Sequence, residues 1–241
     1  MRPSSRAALP ASRAEPLTEP AHEDVAAPRW RERLRAALLE PLSERQAAPG
    51  EVGGTGHHEH ATRRAAVLIP IVGASRPYIY FTQRSDALRH HPGQISFPGG
   101  SVEAFDASAQ AAALREAQEE IGLDPAKVEI LGELPAYRTG TGFIISPYVG
   151  WVDPSARVTA DEIEVARIFG VPLAHALDDR QFSLHALERD GREYQFYAID
   201  YDADHIWGAT AGILYGLLQR LRQVEAEEAA VNGTPSAATC R

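Results

Sequence analysis

Residues 97–123 read FPGGSVEAFDASAQAAALREAQEEIGL, a glycine turn, a short loop and a helix-periodic run. Ala113, Leu114, Ala117 and Ile121 fall on one helical face, Asp106 and Ser108 are candidate N-caps, and Gly122 suits the left-handed position that ends a helix. The same helix carries Glu116, Glu119 and Glu120 at i, i+3 and i+4. Side chains so spaced lie about 5–6 Å apart at Cβ, and each unrelieved like-charge pair costs about 0.2–0.5 kcal/mol. Only Arg115, four residues before Glu119, offers a partner on that helix. Two readings meet the pattern: an exposed glutamate-rich surface, or a carboxylate face whose repulsion is relieved by a divalent cation such as Mg2+. The Gly99-Gly100 turn favours the second, because backbone without Cβ atoms can approach a metal or phosphate closely and lend it a carbonyl.

Working outward, AAVLIPIV, YIYFTQ, VEILGEL, FIISPYVGWV and REYQFYAIDY are short runs rich in β-branched and aromatic residues, set apart by turn-forming stretches, and they read as strands. Near the end, GATAGILYGLLQRLRQVEAEEA places Leu214, Leu217, Leu218 and Leu221 in helical register. These elements predict an α+β sandwich, a mixed sheet flanked by helices, over residues 64–225. Residues 1–28, rich in Ala, Pro, Arg and Glu without apolar periodicity, read as a disordered tail, and 226–241 as a C-terminal tail. Between tail and domain, residues 29–63 combine a short amphipathic helix (Trp30, Leu34, Ala37, Leu38, closed by Pro41) with a flexible linker. The HHEH at 57–60, set among glycines in that linker, reads as a solvated polar patch rather than a metal site.

Composition excludes several classes. A formal charge of −9 opposes a nucleic-acid footprint, so any bound anion must be held locally, by a few arginines or by metal ions. The longest apolar run, 65–74, contains Pro70 and is about half of what a membrane helix needs. A single cysteine, Cys240, leaves no internal disulfide, which points to the cytoplasm. Trp207 and the last helix serve equally as core or as a homodimer interface.

The segment REAQEEIGL, 115–123, resembles the second half of the Nudix hydrolase signature, G-x5-E-x7-R-E-U-x-E-E-x-G-U, with Ala117 and Leu123 at the apolar positions U. The first half departs from it: counting back from Arg115 puts Ala107 at the glutamate and Ser101 at the glycine, and one extra residue restores Gly100 and Asp106. Upstream, YFTQRSDALRHHPGQISFPGG is similar to the pattern L-L-T-x-R-S-x3-R-x3-G-x3-F-P-G-G of the coenzyme A pyrophosphatase branch. Thr82, Arg84, Ser85, Arg89, Gly93, Phe97, Pro98, Gly99 and Gly100 are all in step, and Tyr80 and Phe81 replace the leucines. GGSVEAFD also follows that branch's G-G-x-x-D-x-x-D, with Glu103 for the first Asp.

The resemblance implies a Nudix α/β/α sandwich and metal-dependent hydrolysis of coenzyme A or an acyl-CoA to 3′,5′-ADP and 4′-phosphopantetheine or its acyl derivative. It implies Mg2+ or Mn2+ on Glu116, Glu119, Glu120 and the Gly100 carbonyl. Catalytic candidates are Arg115, which orients a glutamate or forms a plain surface ion pair, and Glu116 or Glu162 as general base, with Glu164 behind them. Gly99, Arg84 and Arg89 are the candidates for the substrate, and the two arginines either grip its phosphate or tie their loop to the sheet. The rival expectations are a Nudix enzyme for ADP-ribose or NADH and a silent fold that only binds a nucleotide.

Overall fold

The computed structural model describes residues 27–39, 63–88, 90–189 and 192–232. The expected N-terminal tail up to residue 26, nearly all of the linker with its HHEH, Arg89 and Cys240 lie outside them. One mixed sheet contains β1 (Arg63–Val72), β2 (Tyr78–Arg84), β3 (Ile95–Ser96), β4 (Gly99–Ser101), β5 (Val128–Glu133), β6 (Tyr137–Arg138), β7 (Phe143–Val152) and β8 (Val165–Pro172). A smaller antiparallel sheet follows, made of β9 (Phe182–Arg189), β10 (Arg192–Tyr201) and β11 (Asp204–Trp207). The helices are α1 (Ala27–Leu39), α2 (Ala109–Ile121), the single turn α3 (Leu173–Ala176) and α4 (Ala209–Asn232).

The centre of the large sheet is the parallel pair β1 and β7, in register from Arg63 opposite Phe143 to Val72 opposite Val152. Strand alternation sorts its side chains into two cores. Ile69 and Ile71 join Val149, Phe81, Phe169 and the apolar faces of α1 and α4, while Ala66, Leu68 and Val72 join Tyr148, Val152 and Ala113, Ala117 and Ile121 of α2. A strand buried on both faces has to be apolar throughout, which is why AAVLIPIV shows no polar alternation. The result is the expected α+β architecture, with α2 alone on one face and α1 with α4 on the other. Pro70 is tolerated inside β1 because of where it falls. On that side β1 pairs with β4 through residues 65–67 and with β2 at 71–72, and Leu68 donates its N–H to Pro98 O at 2.9 Å, so residue 70 sits in the gap between partners.

Helix α1 is bolted to the domain. Trp30, Leu34 and Ala37 are buried in the α4-side core, Arg31 and Arg35 pair with Glu129 on β5, and Arg33 pairs with Glu225 on α4. Arg220 of α4, itself buried, donates Nε–H to Ala37 O at 2.7 Å, satisfying a carbonyl at the end of α1. Helix α4 buries Leu214, Leu217, Leu218 and Leu221, and runs on to Asn232, past the boundary at 225 drawn from sequence. Among the described residues no helix is long and apolar enough to cross a membrane.

The burial of Leu34 makes α1 a structural part of the domain. Leu34→Ala should cost about 2–5 kcal/mol in urea unfolding, whereas a loss under about 0.5 kcal/mol would mean that the helix is an appendage.

Candidate active site

Helix α2 begins where Ser108 accepts a hydrogen bond from Ala111 N at 3.0 Å and ends at Gly122, whose φ of 62° is the left-handed value that a glycine adopts without strain. Both ends are thus set by single residues. Between them, Ala113, Ala117 and Ile121 face the sheet, and Glu116 and Glu120 flank that stripe where the helix meets β4.

The glycine turn is what lets them in. A Cβ on Gly100 would lie 2.5 Å from Glu116 Cδ, so the carboxylate occupies the space a side chain would need. The Gly99 N–H donates to Glu120 Oε2 at 3.2 Å, and an Arg84 guanidinium nitrogen stands 3.9 Å from Glu120 Oε1. The Glu120 side chain is only 6% exposed. Burial pushes its pKa up to about 7, against the opposing effects of the Gly99 N–H and Arg84 and with help from the nearby charges of Glu116 and Glu164. Glu116 is raised for the same first reason, desolvation, with Arg115 opposing.

Arg115 answers the repulsion seen in the sequence. Its Nε and Nη2 donate to the two oxygens of Asp106, each at 3.0 Å, while Nη1 reaches Glu116 Oε1 at 2.8 Å and Glu119 Oε2 at 3.0 Å. Nη2 also donates to Ser101 O at 3.2 Å, and the ring of Phe105 lies under the guanidinium, 5.3 Å from centroid to Cζ. Asp106 is therefore the acid that clamps Arg115, its own side chain 3% exposed and its pKa lowered chiefly by that bidentate bond. Glu119 differs from its neighbours, since its side chain is 59% exposed.

The loop after α2 completes the site. Thr159 N donates to Ile121 O and Asp161 N to Glu120 O, both at 2.9 Å, and Ser85 N donates to Glu164 O at 2.8 Å. This stitching brings Glu164 close enough to act on both Glu116 and Glu120. Glu162, the loop acid preferred on sequence grounds, is exposed in the same turn as Glu164, between Asp161 and Val165, and is not among the charges that act on the pair. Sequence carries no signal for that difference, because both acids lie in the same short segment. Gly99, Gly100, Arg84, Arg115, Glu116, Glu119 and Glu120 do come together, and Arg89 lies outside the described residues.

Five carboxylates, Asp106, Glu116, Glu119, Glu120 and Glu164, here face two guanidinium groups, Arg84 and Arg115. Among the described residues no three or more His, Cys, Asp or Glu side chains converge, as they stand, into a group that could hold a metal ion. An all-oxygen donor set with an excess of negative charge, beside a turn that leaves room at Gly100, fits a hard divalent cation that keeps water and substrate oxygens in its shell.

A family model described as NUDIX domain matches residues 62–192. The chain is 45% identical over 152 residues to the "Uncharacterized Nudix hydrolase NudL" of Citrobacter koseri, spanning 63% of this chain and 79% of that protein. It is 43% identical over 157 residues to the protein of the same name from Klebsiella pneumoniae (strain 342), spanning 65% and 82%. Among solved structures, a C. elegans Ap4A hydrolase binary complex superposes with a TM-score of 0.43 at 14% identity, covering 69% of this chain and 98% of that one.

The buried Glu120 gives the metal-free protein a pH-dependent stability. Its folded pKa, about 7, lies above the ordinary 4.5, so its contribution is complete below pH 4.5 and is lost as pH rises through 7. In EDTA, Glu120→Gln should raise Tm at pH 8 and shrink the gain in Tm seen on going from pH 8 to pH 5. Parallel Tm profiles for the two proteins would show that the carboxyl is not buried in this way.

Proposed function

The chain belongs to the Nudix hydrolase family, and on that premise we propose that it hydrolyses the pyrophosphate bond of coenzyme A or an acyl-CoA, releasing 3′,5′-ADP and 4′-phosphopantetheine or its acyl derivative. The observation that carries the substrate assignment is physical as well as textual. The branch pattern upstream of the acidic helix is built into the site itself: Arg84 beside Glu120, Ser85 bonded to the backbone of Glu164, Gly99 bonded to Glu120 and Gly100 against Glu116. A pattern of loop residues with nothing to do with the reaction would have no reason to touch those acids.

A pyrophosphate is slow to hydrolyse because its anionic oxygens repel the attacking water. Glu116, Glu119, Glu120 and the Gly100 carbonyl would hold Mg2+ or Mn2+, which supplies Lewis-acid neutralisation of the phosphoryl oxygens and a more acidic water. Arg115, clamped by Asp106, holds Glu116 and Glu119 in orientation. Glu164, standing across from Glu116 and Glu120 on a loop tied to Ser85, takes the proton from water as the new P–O bond forms and the bridging oxygen departs with the other phosphate. The pairing of a glycine turn with acids on the following helix positions these groups before substrate arrives, so little reorganisation remains for the reaction.

The decisive assay is product analysis with coenzyme A, ADP-ribose and NADH in parallel, with and without Mg2+ or Mn2+. Metal-dependent release of 3′,5′-ADP, much faster than cleavage of the other two, is expected, and cleavage of ADP-ribose or NADH alone would discard the coenzyme A assignment. Glu120→Gln should lower kcat by about 10³-fold with the fold intact. Glu164→Gln should lower kcat by about 10²-fold or more while Glu162→Gln stays near wild type, and the reverse order would return the base to Glu162.

A further inference from the structure

Coenzyme A differs from other ADP derivatives by a 3′-phosphate, a second dianion that a protein of charge −9 has to hold with specific cations. The cations of the described site are already engaged. Arg115 is divided among Asp106, Glu116, Glu119 and Ser101 O, and Arg84 stands against the buried Glu120. Elsewhere Arg167 pairs with Asp204, Arg31 and Arg35 with Glu129, Arg33 with Glu225, and Arg222 with Asp179.

Sheet register singles out a different pair. Arg64 on β1 and Arg138 on β6 both stand opposite Ile144 of β7, so the three form one row across three strands, on one face, with the two arginine Cα atoms about 10 Å apart. Both arginines are exposed, and among the described residues neither forms a salt bridge. The face is the one that bears α2. Ala66, two residues along from Arg64, lies in the α2-side core and pairs with Gly100, whose Cβ position is filled by the Glu116 carboxylate. Arg64 is thus one pleat, about 6.6 Å, beyond the point where the glycine turn meets the acids. Its carbonyl accepts from Val102 N at 3.0 Å, next to the Ser101 carbonyl that Arg115 grips at 3.2 Å. The neighbouring carboxylate, Glu133, is turned to the Tyr148 hydroxyl. The row therefore presents two guanidinium groups across an aliphatic floor at the edge of the acidic site.

We propose that Arg64 and Arg138 form the subsite for the 3′-phosphate of the substrate's adenosine moiety, with the pyrophosphate lying toward Gly100 and Glu116. The proposal rests on the coenzyme A reading and adds to it the residues that would select for a phosphorylated ribose. Two guanidinium groups on one phosphate can each give charge-assisted, bidentate bonds, and their separation suits a group that enters between them rather than on one side.

The test compares coenzyme A with its 3′-dephospho analogue in Mg2+, using the full chain and the variants Arg64→Gln, Arg138→Gln and the double variant. Calorimetric binding of 3′,5′-ADP and 5′-AMP to each protein supplies a readout that does not depend on turnover, and matched Tm values establish that the variants fold. The wild type should prefer coenzyme A, and the double variant should lose about tenfold or more of that preference through a raised KM for coenzyme A, with the dephospho analogue barely affected. The preference of the protein for 3′,5′-ADP over 5′-AMP should fall in parallel. A double variant that keeps the full preference would overturn the subsite and leave the coenzyme A reading standing. An equal loss on both substrates would also overturn it, since the arginines would then serve the shared part of the ligand. A wild type that cleaves both compounds equally would overturn the subsite alone, and one that cleaves neither would remove both the subsite and the reading beneath it.

Discussion

A carboxylate pressed against backbone that has no side chain is the constraint on which this site depends. Glu116 fills the volume that a Cβ on Gly100 would claim, and Glu120, four residues on, accepts from the Gly99 N–H. Helix α2 can lie this close to β4 because Gly100 has no side chain, Gly99 is needed for its φ of 157° and its close approach to Ala66 and Val67 of β1, and the sheet then fixes the acids through the pairing of β4 with β1. Any larger residue would push the helix off the sheet or the carboxylates out into water, where their pKa values and their ability to hold a cation would relax towards those of ordinary surface glutamates.

Desolvating acids in this way is unfavourable, and the chain offsets it in layers. Asp106 takes two of the donors of Arg115, which leaves the rest of that guanidinium for Glu116 and Glu119, while Arg84 reaches Glu120 from the other side. The compensation is deliberately incomplete in its geometry: Arg84 stands at 3.9 Å, longer than a hydrogen bond, and Glu120 is left with a pKa pushed up to about 7. A site that neutralised every carboxylate internally would have nothing left with which to attract a cation. One that neutralised none would not fold around α2, because each buried charge without a partner costs several kcal/mol.

How much of this could be read in advance depends on how local each feature is. The strands β1, β2, β5, β7 and β10 were legible because each is a short run rich in β-branched, aromatic or other apolar side chains bounded by turn-forming residues, and α2 because Ala113, Ala117 and Ile121 repeat at helical spacing between Ser108 and Gly122. Strands β3, β4 and β6 have two or three residues each, too few to show any period, and exist because longer neighbours template them. Strand β9, FSLHALER, reads as poorly as a strand because Leu, Ala, Glu and Arg favour helix, and its pairing with β10 overrides that preference. The grouping of Glu116, Glu119, Glu120 and Arg115 followed from spacing alone, but the nearness of Glu164 to that group did not, since it depends on hydrogen bonds that Asp161 and Ser85 make to partners dozens of residues away. Asp106 shows the same limit. Its partner Arg115 is nine residues on, and only the loop between β4 and α2 brings them face to face.

The sheet register carries information that no local pattern holds. Arg64, Ile144 and Arg138 are separated by 80 and 6 residues in the chain yet stand in one row, because a parallel strand pair and a short hairpin meet at β7. The two cations brought from two strands in this way stay apart from the acids of α2 in sequence, and Arg64 lies close to them in space. That arrangement answers the difficulty an acidic protein has with an anionic ligand. A uniform positive surface would be neutralised by the chain's own carboxylates, whereas two arginines fixed by a rigid sheet, Arg64 one pleat beyond the acidic turn and Arg138 two strands over, can face a dianion without collapsing onto Glu116 or Glu120. Opposite charges are then held in place by backbone rather than by each other, and the field between them has a direction that a ligand with two separated phosphates can follow.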